Sequence, residues 1–495
     1  MNKDIKLIDN EHEDNILMGS LRVAPYGLLK IIDVRIENRI NEHGTLYFKG
    51  LLPQRAFDSY SEIPAEGTNV SLSTLTANEE LLTIFQGVVT KLIIMAGPTM
   101  HIEVYASSYS MLLDVSMKSR SFQHKSAMYR DVVNQVVEAY DGGSAMDKVT
   151  DGVPTNRLIM QHAETDWAFL KRLASHFNAG IVCDSRLENP KIYFGIPTAQ
   201  EFELDHHEFV IKQDMQRFRR LQNDGISEIV ESDFARYELS TDQIMFVGDA
   251  VLLHGRQLYV SEILSIATQG VLISHVILVP KRGLCQPYIF HEDIVGASFR
   301  GQVVERRNDR VRVHLDVDEW YDPIDSYWFP YSTVYSSKNG SGWYCMPEIG
   351  DVVRIYFPDG DDDHAYAISS VHEPVNTASQ QSSSQQQGSK VIIVQNNVRE
   401  DPDIKEWTYG SKLIRLCDDG LYIVSGDTKI EMNDEGIQIV SENDIEFKSD
   451  KNIVMHAKND IQVVGTERVG MSGGTPASIN IDSNVEISGN QVRVN

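Results

Sequence analysis

A mainly β chain is predicted, ending in a β-helix wound from three copies, and two patterns lead there. The last 85 or so residues repeat on a beat of about eight. Ahead of them, most regular segments alternate apolar and polar residues or are β-branched, and only two stretches show a helical period.

The beat consists of apolar residues at i and i+2: Leu421/Ile423, Ile430/Met432, Ile437/Ile439, Ile445/Phe447, Ile453/Met455, Ile461/Val463 and Val469/Met471, then less regularly Ile479/Ile481, Val485/Ile487 and Val492/Val494. Period-two alternation puts both members of a pair on one strand face. Gly420, Gly436, Asp444, Asn452 and Asp460, just before many of the pairs, suit a sharp corner. One octad therefore reads as one short strand plus one corner, stacked into a solenoid with an apolar interior. A single chain would need about three such strands per coil and would leave both ends open. Three chains wound together place one layer per octad and pair every strand with a neighbouring chain, giving ten layers a length on the order of 50 Å. The trimer core is then expected at Ile437, Ile439, Ile445, Phe447, Ile453, Met455, Ile461 and Val463. An antiparallel meander is set aside, because hairpins need tight two-residue turns that the sequence does not repeat.

In chain order, residues 1–120 read as a first β-barrel, with strands at Leu29–Ile36, Thr45–Leu51, Val70–Leu75, Leu82–Ile94 and Met100–Ala106. Residues 121–190 are an α/β connecting region. Met128, Val132, Val133, Val136, Val137 and Tyr140 mark one helical face. A strand at Arg157–Gln161 leads to a second helix, with Thr165 as N-cap, Trp167, Leu170, Ala174 and Phe177 as its stripe, and Asn178-Ala179-Gly180 as its stop. The strand Gly180–Cys183 follows. Residues 191–290 read as a second barrel, with strands at Lys191–Phe194, Phe209–Lys212, Glu228–Val230, Ile244–Val247, Gln257–Ile266 and Val271–Pro280. Residues 291–373 hold about five short strands, which fits an OB-fold. Residues 374–410 are a Gln/Ser-rich linker and neck, too polar to build a core. Residues 411–495 are the octad β-helix.

The formal net charge is −26, which argues against nucleic acid as a partner. Cys183, Cys285, Cys345 and Cys417 are scattered singly, so neither a metal knuckle nor a disulfide framework is expected and folding fits a reducing cytoplasm. Met1–Asn15 is polar and acidic, unlike a signal peptide, and no apolar run approaches the ~18 residues needed to span a bilayer. Synthesis in the cytoplasm follows as an expectation, and if the protein leaves the cell, something other than a cleaved signal takes it out.

No catalytic motif stands out among the common hydrolase, nucleotide and metalloprotease signatures, and no cofactor or catalytic residue is expected. Asp205-His206-His207-Glu208 has metal-ligand residue types, but neighbours on a strand face opposite sides, so it reads as a solvated turn. Asp359, Asp361, Asp362, Asp363 and His364 could hold Ca²⁺ through oxygen ligands; a β-turn explains the same Asp-Gly composition and is preferred. Glu164 and Asp166 suit a helix N-terminus, and Arg172 is a candidate partner for a carboxylate.

Two segments carry a family resemblance. Glu164, Asp166, Trp167, Phe169, Arg172 and Leu173 match the E-x-D-W-x-F-x-x-R-L signature of VgrG and phage tail hub proteins. Pro347-Glu348-Ile349-Gly350-Asp351 through Phe357, followed by Asp359-Gly360-Asp361-Asp362-Asp363-His364, is similar to the P-E-x-G-D-x-V-x-V-x-F…G-D-P-D-R-P stretch of the family's OB-fold, with Asp362 and His364 replacing the usual Pro and Arg. The resemblance implies a homotrimeric central spike of a type VI secretion system, an extracellular contractile injection system or a contractile phage tail. Its two barrels would be hub domains that cap the hexameric inner tube and meet baseplate proteins. A PAAR-like tip protein would dock at Ile487, Val492 and Val494. Effectors would be carried as separate cargo, none being fused at the tip, and the rod would be driven through a target cell envelope. Two other roles stand beside the mechanical one: a baseplate-associated envelope-degrading enzyme, and a receptor- or glycan-binding tail spike. The roughly 40 residues between OB-fold and repeat are too few for an independent enzyme domain, and outward octad positions are mostly Glu, Lys, Ser and Asp rather than the aromatics of a glycan groove.

Overall fold

The structure is a computed structural model that describes residues 16–53, 68–75, 80–197, 200–204, 208–268, 270–320, 322, 324–334, 345–371, 405–409, 411–470, 473, 489 and 491. The chain divides into two compact units, Met1–Val375 and Asn376–Asn495. The Asp205-His206-His207 turn, the Gln/Ser linker and the tip positions Ile487, Val492 and Val494 lie outside the described residues.

The first unit opens with strands β1 (Leu21–Ala24), β2 (Lys30–Arg39), β3 (Thr45–Leu52), β4 (Asn69–Leu75), β5 (Leu81–Met95) and β6 (Met100–Ser108). Alternation is plain in β6, where Met100, Ile102, Val104 and Ala106 are buried. They join Phe48, Leu72 and Phe85 in a shared core.

The connecting region follows: β7 (Met117–Phe122), helix α1 (Tyr129–Val137), β8 (Ser144–Asp147), β9 (Ile159–Thr165), helix α2 (Asp166–Ser175), β10 (Ile181–Cys183) and β11 (Lys191–Phe194). Thr165 caps α2 as expected, its side chain accepting from the Ala168 N–H at 3.1 Å. The second set of strands is β12 (Glu201–Glu203), β13 (Phe209–Gln213), β14 (Ala235–Thr241), β15 (Ala250–Leu253), β16 (Arg256–Thr268) and β17 (Val271–Val279), with helix α3 (Met215–Asn223) after β13. The two barrel-sized regions share one sheet, because β2 pairs antiparallel with β16, placing Ile36 opposite Ser265.

Three local expectations are corrected here. Glu228–Val230 and Ile244–Val247 are not strands; Ile229, Met245 and Val247 are buried from loops. Short apolar runs report burial, not a ladder. Helix α3 was not anticipated: its three arginines obscure the stripe Met215, Phe218 and Leu221, although Asp214 caps it by accepting from the Arg217 N–H at 2.9 Å.

The OB domain comprises β18 (Ser298–Arg307), β19 (Arg310–Leu315), β20 (Phe329–Pro330), β21 (Val352–Tyr356) and β22 (Tyr366–Val371), in the order β20-β19-β18-β21-β22. A bridge between Tyr331 and Ala367, with the Ser332 N–H donating to the Ala367 carbonyl at 2.8 Å, closes the sheet into a barrel. Strand β9 serves two cores by alternation. Its Ile159 enters the connecting-region core, while Leu158, just before it, and Met160 enter the OB core beside Phe329, Ile355 and Phe357.

In the second unit, β23 (Lys405–Tyr409), β24 (Lys412–Cys417), β25 (Gly420–Ser425), β26 (Thr428–Asn433) and β27 (Gly436–Val440) form an antiparallel meander. Over these residues the arrangement set aside above is the one adopted, so the pairs from Leu421 to Ile439, including the expected trimer-core residues Ile437 and Ile439, sit on hairpin strands of one chain. The two-residue turns are present: Asp418-Asp419, Gly426-Asp427 and Asp434-Glu435. Two of the three read acidic-acidic-Gly, a repeated turn signal. Among the described residues, 441–470 form no strand ladder.

Candidate functional site: a buried clasp and an exposed apolar face

The two resemblance motifs meet in space. Arg172, on α2, donates to Glu164 at 2.6 and 3.3 Å, to the Met160 carbonyl at 2.5 Å and to Asp362 Oδ2 at 3.4 Å. Asp362 Oδ2 also accepts from the Met160 N–H at 2.9 Å, and Oδ1 lies 3.4 Å from His291 Nδ1. The side chains of Arg172, Asp362 and His291 are each only 4% exposed. Around this centre Arg157 pairs with Asp361, and the Tyr327 hydroxyl donates to the Asp363 carbonyl at 3.1 Å. The acidic turn of the OB domain is thus a clasp on β9 and α2.

Electrostatics explain why these charges stay ionised in the interior. Burial pushes the Asp362 carboxyl up, but His291, Arg172 and the Met160 N–H together outweigh it and hold the group below its ordinary range. Burial likewise opposes charge on Arg172, and Asp362 and Glu164 more than offset it. Asp166 shows the same logic. Its burial is countered by donors from Lys118 at 2.6 Å, Gln161 at 2.9 Å and Tyr140 at 2.7 Å and by Arg120 at 2.6 Å, and its carboxyl is lowered. Asp166 therefore anchors a hydrogen-bond network rather than simply complementing a helix dipole. Trp167 and Phe169 are core residues, Trp167 lying 4.2 Å from the His43 ring and Phe169 stacked on Phe122 at 5.5 Å. His176 meets the Tyr129 hydroxyl at 3.0 Å and stacks on Tyr288; burial first, then Arg172 and Arg157, push its imidazole down to about 3.

The second feature is apolar. Cross-strand register aligns Trp407, Ile414, Ile423, Ile430 and Ile439 across the whole meander, and Leu416, Leu421, Met432 and Ile437 in a parallel row on the same face. The opposite face carries charge pairs such as Arg415–Glu406. In one chain the apolar rows are open to solvent, with Ile437 68% exposed. Ile445, Phe447, Ile453, Met455, Ile461 and Val463 continue as exposed residues on backbone that forms no ladder among the described residues. All eight expected trimer-core residues are therefore surface groups of the single chain. Sequence reasoning missed the clasp, although it named Arg172, Glu164 and Asp362 separately; the usable signal was the density of acids at 359–363, for which Arg157 and Arg172 are the complement.

Comparison with known proteins fits this geometry. Residues 299–372 match the family described as the type VI secretion system/phage-baseplate injector OB domain. No curated protein matches by sequence. Among solved structures, the Escherichia coli c3393 protein, described as a component of the type VI secretion system with structural similarity to the T4 bacteriophage tail proteins gp27 and gp5, shares 15% identity. That match covers 71% of this chain and 99% of that one, with a TM-score of 0.52. A chain of the half-lidded Francisella PdpA–VgrG complex shares 11% identity over 83% of each chain, with a TM-score of 0.48. The 43 kDa tail protein of prophage MuSo2 from Shewanella oneidensis shares 11% identity over 55% of this chain and 99% of that one, with a TM-score of 0.41. Residues 299–372 thus form a type VI secretion system/phage-baseplate injector OB domain, and the chain shares its fold with the c3393 protein.

Proposed function

We propose that three copies of this chain assemble into the central spike of a contractile injection machine, capping the inner tube and puncturing a target envelope to deliver a tip protein and cargo. One observation carries the reading: apolar residues from Ile414 to Val463 that a single chain leaves exposed. Over 405–440 the sheet from each copy can pack its apolar face against the other two. From 441 onward the unpaired backbone and the strict octad call for strands from neighbouring chains, because an extended segment leaves its N–H and C=O groups without partners. Each half-exposed Ile, Val, Met or Phe contributes on the order of 1 kcal/mol when covered, so the braid is cooperative and slow to open. The role is mechanical. Partners under this reading are the tube hexamer, baseplate proteins, a PAAR-like tip at Ile487, Val492 and Val494, and carried effectors, with assembly in the cytoplasm before export. Of the OB acids that could hold Ca²⁺, Asp361 and Asp362 are engaged in the clasp, and Asp359 pairs with His364. Sedimentation of the purified protein tests the proposal: the expected mass is three times 55.9 kDa, resistant to SDS at room temperature. A stable single chain, or lysis of cell-wall material in a zymogram, would overturn it.

A further inference from the structure

One pocket of the first unit is lined by three arginines and involves none of the clasp residues. It encloses about 150 Å³ where β2, α3, β14 and β16 come together, with Arg39, Arg217 and Arg236 in its wall. The three are not equally partnered. Glu262 bridges two of them, 2.9 Å from Arg236 and 3.4 Å from Arg39, and Arg39 also meets Glu37 at 2.5 Å. The Arg217 side chain donates to the Cys285 carbonyl at 2.9 Å, and among the described residues no carboxylate pairs with it. Asp214 lines the pocket too, but turns Oδ1 to the Arg217 backbone N–H, at 2.9 Å, to cap α3.

Arg217 is therefore a partly buried cation that the fold leaves short of a counter-ion. Burial lowers its guanidinium from the ordinary value and Arg236 adds to that, more than Asp214 and Glu262 restore. A guanidinium presents a planar fork of donors, and most of this one remains for an outside acceptor. The rest of the wall includes the apolar side chains Ile40, Phe234 and Val279. Such a lining recognises an anionic head on an apolar body. Volume sets the size, since a cavity of about 150 Å³ accommodates benzene, a molecule of about six heavy atoms.

We propose that this pocket is a binding site for a small organic carboxylate with a short alkyl tail, the carboxylate forked on the Arg217 guanidinium and the tail against Ile40, Phe234 and Val279. Phosphate fits less well. The apolar wall leaves its further oxygens without donors, and Glu42 and Glu262, also at the pocket, repel a dianion more than a monoanion. Bound there, the ligand ties α3 and β14 to the seam where β2 pairs with β16.

Butyrate, which has the right size, is the probe, added to the full-length protein. Phenylglyoxal labels arginines, and tandem mass spectrometry compares Arg217 with the exposed Arg219 on the same helix. Butyrate at about twice its Kd is expected to slow labelling of Arg217 about threefold and to leave Arg219 unchanged. Acetate, two methylenes shorter, should need about 15-fold more for the same protection, at about fourfold per buried methylene. Butyramide, of the same shape without the charge, and sodium chloride at equal ionic strength should protect neither arginine. No protection at about 50 mM butyrate, where a millimolar site is saturated, would overturn the proposal, as would equal protection of Arg219 or equal protection by butyramide or chloride. Tighter protection by inorganic phosphate than by butyrate would overturn the carboxylate assignment, and equal potency of acetate would overturn the apolar half of the site.

Discussion

Replacing Arg172 by methionine keeps the length and apolar stem of the side chain and removes its charge. In the folded protein the guanidinium is the cation that touches both Glu164 and Asp362, and it also holds the Met160 carbonyl. Without it two carboxylates remain in a site where the Asp362 and His291 side chains are 4% exposed and Glu164 is 11% exposed, facing His291 alone. Removing one partner of a buried ion pair costs about 3–5 kcal/mol. With an unfolding entropy of about 2.1 cal/mol/K per residue over roughly 375 residues, this corresponds to about 4–6 °C in the melting of the first unit. Arg300→Met is the comparison: Arg300 and Asp316 form a half-exposed pair at 3.4 Å, whose loss is expected to cost under about 1 kcal/mol. Differential scanning calorimetry of both variants, with hydrogen exchange at the Met160 amide, reads the effect. Equal losses in the two variants, or unchanged Met160 protection in Arg172→Met, would refute the clasp as an energetic link between OB domain and α2.

Three further outcomes are expected. Ile453→Asp would bring three carboxylates into one layer of the trimer, several kcal/mol each; sedimentation should show lost trimers, while Lys458→Ser at a corner leaves mass and melting unchanged. His176 is neutral in the fold, since burial and nearby arginines hold it down to about 3, whereas an unfolded imidazole takes up a proton below about 6.5. Unfolding therefore binds a proton between those values, and stability falls as pH drops through that window. His176→Phe should flatten the slope in melts from pH 7 to 4, whereas Asp166 and Asp362, whose carboxyls are lowered, contribute only to the further loss below about 3.9. Gly420→Val would put a Cβ 2.3 Å from the Met432 carbonyl, so a melt or limited proteolysis should show the meander opening between β25 and β26.

Much of the architecture was legible because its signals are local. Alternation located β2 to β6 and β16 to β19, helical period and Thr165 located α2, and the octad located the apolar rows. What escaped depends on contacts distant in sequence. The join of β2 to β16 sets Arg39 against Glu262, more than 200 residues away, and no local pattern reports it. The clasp pairs Arg172 with Asp362 across a similar gap, so each residue reads alone as a helix charge or a turn acid. The meander was misjudged for a different reason. Strands of five or six residues with two-residue turns have nearly the same period as a strand and corner of a solenoid, so spacing cannot separate them. Only the acidic pair before Gly420 and Gly436 distinguishes a hairpin turn from a corner.

Hydrogen exchange over residues 441–470 of the full-length protein tests the braided spike most directly, since these residues form no ladder among the described residues of one chain. Amide protection lasting hours at neutral pH is expected, uniform across the octads and lost together with the trimer. Exchange within seconds while the OB barrel stays protected would mean that no neighbouring strands pair there, and would contradict the account.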